Sequence, residues 1–188
     1  GDCLNTGCVP SKALIRSAKA ADTLRHANRY GLESVPVKGS FKNIMDRVKD
    51  VIAKVEPHDS PERYRKLGVD CIAGEASFVS PWELEVRHND GRTERLTARS
   101  IVVATGGKPA VPPIPGLNDM QPLTSDNLWE LEEQPERLLV LGGGPIGSEL
   151  AHAFARLGSK VTQVEMGERI LAREDEDVSE LVLKQFQA

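Results

Sequence analysis

The chain has 188 residues, with 24 Lys and Arg against 28 Asp and Glu, so its formal net charge is -4. Such a length buries enough apolar surface to fold without a metal or disulfide framework. The mixed charges argue against nucleic acid or an anionic membrane as the main partner, and 39% hydrophobic with 28% charged residues excludes a disordered or fibrous chain. No apolar run approaches the roughly 18 residues that would span a bilayer, and no signal segment is recognisable, which predicts a cytoplasmic protein.

Helical spacing of apolar residues predicts two helices in the first third of the chain. One begins near Cys8 and ends near Tyr30. The other begins at Phe41 and is stopped or kinked by Pro57. Pro61 then opens a short helical turn.

From Val69 the apolar period changes to two, which predicts short strands in a small antiparallel layer. The predicted strands lie at 69–73, 76–79, 84–86 and 95–98. Asn89-Asp90-Gly91 marks a hairpin between the last two. The continuously apolar run 101–104 is typical of a strand buried on both faces, and the proline-rich segment 108–117 predicts a stiff extended connector.

The last third of the chain has the pattern of a βαβ unit, after a short helix predicted near Ser125 or Asp126. Its predicted elements are a strand at 138–141, a helix at 146–157, a strand at 160–165 and a final helix from about Asp175. We place a domain boundary after the connector, with residues 1–121 in one domain and 122–188 in the next.

A glycine-rich turn, Gly142-Gly143-Gly144-Pro145-Ile146-Gly147, fits the dinucleotide-binding pattern G-x-G-x-x-G. The pattern alone is weak evidence for a nucleotide site. Here, however, it follows an apolar strand and opens a helix, and an acidic residue, Glu165, lies at the end of the next strand. Gly142 permits the tight turn, Gly144 lets backbone amides approach a pyrophosphate, and Gly147 lets helix and strand pack closely. The alternative is a glycine-rich turn that binds no ligand.

Glu165 predicts that the nucleotide is NAD rather than NADP. It lies 23 residues after Gly142, close to the roughly 20 at which an acid accepts a hydrogen bond from the adenosine ribose. The same carboxylate would repel a 2'-phosphate, and Met166 and Gly167 offer no cation beside it.

Cys3 and Cys8 lie five residues apart, and the turn residues Asn5-Thr6-Gly7 are suited to bring them within bonding distance. Cys8 would then begin a helix, whose N-terminus stabilises a thiolate. The spacing is compatible with a redox pair, with two reduced structural cysteines, or with half of a metal site, although no further Cys or His stands nearby to complete one. We assign no metal ligand, and we expect Cys71, inside a predicted strand, to be a small core residue.

Lys12 lies one helical turn after Cys8, so its cation could hold a thiolate or an electron-rich ring at the same point. The alternative is an ordinary surface lysine. Glu149, just inside the helix after Gly147, is either a buried partner for such a cation or an acid on the helix surface.

These motifs together resemble the flavin-dependent pyridine nucleotide-disulfide oxidoreductases, the family of lipoamide dehydrogenase, glutathione reductase and mercuric reductase. Segment 3–12 is similar to the family's redox-disulfide motif, 104–116 to its A-T-G-x-x-P connector, and 142–149 to the start of its NAD(P) domain. The resemblance implies an α/β fold, with part of a Rossmann-like FAD-binding domain that carries a small antiparallel β layer. The first βαβ of an NAD-binding Rossmann domain would follow.

The resemblance also implies an enzyme that passes electrons from NADH through FAD to a Cys3–Cys8 disulfide. The final acceptor would be a lipoyl group, another disulfide, a metal ion such as mercuric ion, or a quinone. Cys8 would be the thiol next to the flavin and Cys3 the thiol that meets the substrate. Lys12 would lie near the flavin N5 edge and pair with Glu149.

Further FAD contacts implied by the resemblance are Ala76, Thr105 and Gly106. Pro145 stands where many family members place a bulky residue over the flavin, so we expect nicotinamide access to differ. The parent enzyme is expected to be a homodimer. The isolated chain is expected neither to retain FAD tightly nor to oxidise NADH, because the family's first glycine-rich turn, which binds the FAD pyrophosphate, is absent from it. The rival hypotheses are an NAD-binding module without turnover and a thiol protein that carries a soft metal.

Overall fold

The computed structural model describes residues 1–187, which form two compact units. The first unit combines Gly1–Lys54 with the chain from Lys108 onward, and the second is Val55–Gly107. The first contains a parallel two-stranded sheet with helices, and the second contains a three-stranded antiparallel sheet. This is the predicted α/β class with a small antiparallel layer. The assignment of 1–121 and 122–188 to FAD- and NAD-binding domains stays a prediction.

Two helices open the first unit, α1 (Asp2–Asn5) and α2 (Cys8–Arg25). The buried face of α2 repeats at helical spacing and is made mostly of small residues, namely Pro10, Ala13, Leu14, Ala18 and Ala21. A 3-10 turn (Ala27–Tyr30) follows and ends at Gly31, whose φ of 74° favours glycine. The helix predicted from Cys8 is confirmed.

The third helix, α3 (Phe41–Val55), is amphipathic and directs three side chains into the core, Phe41, Met45 and Val48. A 3-10 turn (Glu56–Asp59) follows it directly. Pro57 therefore lies beyond the end of α3, so it stops the helix and does not kink it.

The second unit contains α4 (Pro61–Lys66), which is capped by the Ser60 hydroxyl. Its sheet is a meander of β1 (Gly74–Ser80), β2 (Glu83–His88) and β3 (Thr93–Thr97). Gly91, with φ of 87°, lies in the predicted hairpin between β2 and β3. The three later predicted strands of this layer are confirmed.

The strand predicted at 69–73 is wrong, because this segment folds back on α4. The N–H of Val69 donates to the carbonyl of Tyr64 at 3.1 Å, and the Arg65 guanidinium donates to the carbonyl of Cys71 at 3.3 Å. Cys71 is consequently half-buried and lies outside the core.

The strand predicted at 101–104 is also wrong. The segment is extended but unpaired within the described residues, and Val102 and Val103 are 87% and 66% exposed. A strand buried on both faces needs neighbouring strands and covering layers, and none of the described strands pairs with this one.

The connector at 108–117 forms neither helix nor strand, as its prolines predict. The helix predicted near Ser125 or Asp126 is instead a 3-10 turn at Leu128–Glu130. Asn127 Oδ1 accepts the N–H of Thr124 at 2.7 Å, which holds the preceding residues in a turn.

The first unit ends in the predicted βαβ unit, formed by β4 (Arg137–Leu141), α5 (Pro145–Leu157) and β5 (Lys160–Val164). The strands are parallel, with Arg137 opposite Lys160 and Leu141 opposite Val164. A final helix, α6 (Glu176–Gln187), follows. Both the βαβ unit and the last helix are confirmed.

The core of the first unit lies among α2, α3, α5 and the 128–130 turn. Its buried members are Ala13, Leu14, Ala18, Phe41, Met45, Val48, Leu128, Trp129, Ala153 and Phe154. The larger side chains each contribute about 1.5–3 kcal/mol by burial. Within residues 1–187, no helix combines the length and apolarity needed to cross a membrane.

Candidate functional site

Cys3 and Cys8 are joined by a disulfide, with their Cα atoms 4.7 Å apart. Cys3 lies in the single turn of α1, and Cys8 is the first residue of α2. Gly7 allows this tight return, since a Cβ there would lie 3.0 Å from the carbonyl oxygen of Asp2. Both cysteines are exposed, whereas Cys71 is a free thiol in the second unit. The predicted pairing is present, and its role as a redox couple stays a prediction.

Lys12 forms an ion pair with Glu149. Its Nζ donates to the two carboxylate oxygens at 2.9 and 2.7 Å. The side chains are 61% and 42% exposed, so water screens the pair and it contributes little to stability. Lys12 is therefore not a lone surface lysine, and Glu149 is its partner, although a half-exposed one.

α2 and α5 lie side by side and run in the same direction. The Lys12–Glu149 pair joins their first two turns, and the Arg25 guanidinium donates to the carbonyl of Arg156 near their C-termini. Both N-termini therefore lie at one end of the first unit. The disulfide and the glycine-rich turn precede or begin these helices, so they lie at that end too. Two helix N-termini supply partial positive charge there.

The glycine-rich turn connects β4 to α5. Gly142 has a φ of 108°, which favours glycine, and its N–H donates to the carbonyl of Val164 at 2.8 Å. A Cβ at Gly147 would lie 2.5 Å from the carbonyl oxygen of Gly142. α5 begins at Pro145, whose missing N–H is tolerated in the first helical turn. The tight turn predicted at Gly142 and the close packing predicted at Gly147 are both present.

Gly144 differs from these two glycines, since a Cβ built there would meet nothing within 4 Å. Packing within the chain does not require glycine at this position, which lies open just before the N-terminus of α5. A cavity of about 680 Å³ lies beside it, and its lining includes Val111, Pro112, Pro145 and Ile146. Small-molecule sites occupy about 300–1,000 Å³. The residues present therefore fit a dinucleotide whose pyrophosphate approaches the backbone at Gly144.

Glu165 lies against the same turn. Its carboxylate accepts the N–H of Gly167 at 2.7 Å and the N–H of Gly143 at 2.5 Å. These two bonds, that from Gly167 first, lower the pKa of Glu165 from its ordinary value of 4.5, against the opposing effect of desolvation. The carboxylate is thus charged at neutral pH. Met166 beside it is fully exposed and brings no cation.

A polar cluster beneath the turn was missed by sequence reasoning. The Gln163 amide donates to the carbonyl of Gly142 at 2.9 Å and to the Ser148 hydroxyl at 3.2 Å. Ser148 is buried and donates to the carbonyl of Gly143 at 3.3 Å. The available signal was a polar residue at an inward-facing position of β5.

Trp129 was also missed. Its indole N–H donates to the carbonyl of Thr6, between the two cysteines, at 3.1 Å. No local pattern could indicate this contact, because 123 residues separate the two partners.

The remaining predicted residues, Ala76, Thr105 and Gly106, belong to the second unit. Ala76 lies in β1 opposite Val86, and Thr105 and Gly106 are exposed in an extended segment. Their contacts with FAD stay a prediction. No group of three or more His, Cys, Asp or Glu side chains in residues 1–187 is placed to hold a metal ion.

A disulfide at one helix N-terminus and a dinucleotide-type turn at another are the parts of a nucleotide-dependent disulfide oxidoreductase. The family model described as pyridine nucleotide-disulphide oxidoreductase matches residues 1–188. The chain belongs to this family.

Individual relatives agree with this assignment. A mercuric reductase from Streptomyces lividans is 36% identical over 180 residues, which cover 95% of this chain and 38% of the relative. A dihydrolipoyl dehydrogenase from Chlorobaculum tepidum is 36% identical over 189 residues, which cover 100% of this chain and 40% of the relative. Among solved structures, the Cu(II) complex of the HOCl-induced flavoprotein disulfide reductase RclA from Escherichia coli has a TM-score of 0.75 and 29% identity, covering 100% of this chain and 38% of that one. The chain thus spans at most about two fifths of these proteins.

Proposed function

We propose that this chain is part of a flavin-dependent oxidoreductase that passes two electrons from NADH through FAD to the Cys3–Cys8 disulfide. The observation that carries the proposal is the disulfide at the N-terminus of α2, tied through Lys12 and Glu149 to the helix that follows the glycine-rich turn. Because the chain spans only part of its relatives, the proposal concerns the whole protein. When bound, NADH and FAD supply the hydride and the two-electron relay.

The two cysteines take different roles in this proposal. Reduction breaks the S–S bond by adding two electrons and one proton, which leaves one thiol and one thiolate. Cys8 begins α2, where partial positive charge stabilises a thiolate, so we assign it to the flavin side. Cys3, exposed in α1, exchanges with the acceptor. An oxidised acceptor then takes the two electrons, and the S–S bond re-forms. A disulfide acceptor also takes two protons, from Cys3 and from water, whereas a metal ion takes none and the proton of Cys3 passes to water.

Lys12 and Glu149 act electrostatically beside the cysteines. Lys12 supplies a cation one helical turn above Cys8, which stabilises negative charge at the flavin N5 edge or on the thiolate. Glu149 holds that cation in place through both carboxylate oxygens. The FAD contacts proposed for the second unit are Ala76, Thr105 and Gly106.

The nucleotide site is proposed to be the glycine-rich turn, Gly142 to Gly147, with Glu165. Gly144 leaves room for a pyrophosphate at the N-terminus of α5. We propose that the charged carboxylate of Glu165, which lies against this turn, accepts a hydrogen bond from a ribose hydroxyl and would repel a 2'-phosphate. We therefore propose NADH as the donor.

For the acceptor we propose a lipoyl group, another disulfide or a metal ion. The names of two relatives, dihydrolipoyl dehydrogenase and mercuric reductase, support testing a lipoyl compound and mercuric ion first. We propose that the whole protein is a homodimer located in the cytoplasm.

The test is an anaerobic titration of the purified full-length protein with NADH, followed by flavin absorbance and by counting alkylated thiols. We expect a bound flavin and two additional thiols after reduction, located at Cys3 and Cys8 by peptide mapping. The matched control is Cys71→Ser, which should release the same two thiols. Absence of flavin, or reduction by NADH without new thiols, would contradict the proposal. NADH binding without flavin would instead favour an NAD-binding module without turnover.

A further inference from the structure

We propose that Trp129 is a positioning residue for the redox pair. Its hydrogen bond to the carbonyl of Thr6 keeps the turn between Cys3 and Cys8 in place when the disulfide is open, and this makes the pair harder to reduce. The inference rests on the proposed redox role of the two cysteines.

The turn between the cysteines is short, and its hydrogen bonds run back to residues 1 and 2. The N–H and the side-chain amide of Asn5 both donate to the carbonyl of Gly1, at 3.2 and 3.3 Å. Thr6 ends α1, and its own N–H and hydroxyl both donate to the carbonyl of Asp2, at 2.9 and 3.2 Å. The carbonyl of a residue at a helix C-terminus has no intrahelical donor. The Trp129 indole N–H supplies a donor to the Thr6 carbonyl at 3.1 Å.

The donor itself is held independently of the disulfide. Trp129 is 6% exposed and belongs to the 3-10 turn Leu128–Glu130. It is part of the core cluster that also contains Leu14 and Phe154, so α2 and α5 fix its ring. Neither cysteine belongs to this cluster, so opening the S–S bond removes none of the core contacts around the indole.

The consequence appears in the dithiol state. Once the S–S bond is broken, α1 is a single helical turn, which is too short to be stable alone. The Trp129 bond restrains the turn and keeps the two thiols at a high effective concentration, as any intramolecular tether does. Oxidation then joins the two sulfurs while two electrons and two protons pass to glutathione disulfide, which becomes two glutathione thiols. A higher effective concentration favours the disulfide and makes its reduction potential more negative.

The test measures the Cys3–Cys8 potential in the full-length protein by equilibration with glutathione buffers and alkylation of the free thiols. Trp129→Phe retains an aromatic ring in the core and removes the N–H. We expect the equilibrium constant for disulfide formation to fall about fivefold, which is a potential about 20 mV more positive at 29.6 mV per tenfold. The matched control is Trp82→Phe, since the chain has two tryptophans and Trp82 is exposed in the second unit.

Two further variants separate the hydrogen bond from core packing. The benzothiophene analogue of Trp129 replaces the N–H by sulfur at nearly constant shape and should give the same shift, even if Trp129→Phe does not fold. Leu128→Val disturbs the adjacent core and keeps the donor, so it should leave the potential unchanged. An unchanged potential in the benzothiophene protein overturns the inference. If the unmodified protein itself never equilibrates with glutathione, the proposed redox role fails instead, and this inference fails with it.

Discussion

The two units of the chain differ in how their side chains are held. Every buried apolar residue of the described chain except Val86 lies in the first unit. The first unit closes a core among three helices, whereas the second unit is a meander held by its backbone ladder and by exposed cross-strand ion pairs, such as Arg87 with Glu75 and Arg95 with Glu83. Such exposed pairs each contribute little.

This difference bears directly on the candidate site. The disulfide, the Lys12–Glu149 pair and the glycine-rich turn all lie at the N-terminal ends of α2 and α5. These helices pack through buried small residues, so the geometry of the site follows from the core. Ala76, Thr105 and Gly106 lie on exposed backbone of the second unit, where no comparable core fixes them. Substitutions in the first unit should therefore affect chemistry and stability far more than those in the second.

The largest effect is expected from the cysteines. Cys8→Ser in the full-length protein should lower acceptor reduction by about 1,000-fold or more, as removal of a reacting nucleophile does. NADH-dependent bleaching of the flavin should persist, because it precedes the disulfide. Stopped-flow absorbance and steady-state acceptor reduction measure the two steps separately.

The second unit provides the control for this result. Cys71→Ser removes its free thiol and should keep acceptor reduction within about twofold, since Cys71 is a free cysteine and not one of the proposed reacting groups. Comparable losses in Cys8→Ser and Cys71→Ser would mean that the redox pair has been misassigned.

The next largest effect concerns stability. Phe154→Ala should lower the free energy of unfolding by about 3–5 kcal/mol, because Phe154 is almost fully buried against Phe41. Val103→Ala, on the exposed segment of the second unit, should cost less than about 0.5 kcal/mol. Urea unfolding of both variants measures the contrast. Equal losses would show that the second unit is held by packing as tightly as the first.

A smaller effect is expected at the nucleotide turn. Glu165→Gln should lower the ratio of kcat/KM for NADH to that for NADPH by about tenfold, or about 1.4 kcal/mol. The carboxylate that bonds Gly143 and would repel a 2'-phosphate loses its charge in this variant. Glu168→Gln, an exposed neighbour, should leave the ratio unchanged. A preference for NADPH in the unmodified protein would contradict the assignment.

Sequence patterns were sufficient where structure is determined locally. Periodicity predicted α2, α3 and the βαβ unit. Short glycine motifs predicted the turn at Gly142 and the hairpin at Gly91, and both glycines have a positive φ in the structure. The run 101–104 was predicted wrongly because its apolar character indicates burial, which depends on strands elsewhere in the fold and not on the run itself.

The candidate site was predictable to the extent that motifs are local. The cysteine pair and the glycine-rich turn lie within short segments, and the family resemblance added the pairing of Lys12 with Glu149, which are 137 residues apart. Trp129 was not predictable, because it acts through a tertiary hydrogen bond to a backbone carbonyl 123 residues away. Gln163 gave a partial signal as a polar residue at an inward-facing position of β5, but its hydrogen bond to the carbonyl of Gly142 is a tertiary contact that this signal does not specify.

The smallest expected effect is a pH dependence of the unfolding free energy, which His152 in the first unit should cause and His58 in the second should not. The His152 ring on α5 contacts Phe186 on α6, with ring centroids 4.8 Å apart. Burial, and then the charge of Arg156, lower the pKa of His152 from its ordinary value of 6.5, although Asp22 opposes the shift. Because folding favours the neutral ring, the unfolded chain binds more protons, and stability is complete above pH 6.5 and declines as pH falls through the lowered pKa of the folded state. The loss should stay under about 1 kcal/mol, since the ring is partly exposed and solvent screens it.

His152→Asn should reduce the difference in unfolding free energy between pH 7.5 and pH 5, measured in urea, whereas His58→Asn, at an exposed position of the second unit, should leave this difference unchanged. If His152→Asn loses as much stability on acidification as the unmodified protein, the packing of α6 on His152 does not respond to the charge on the ring.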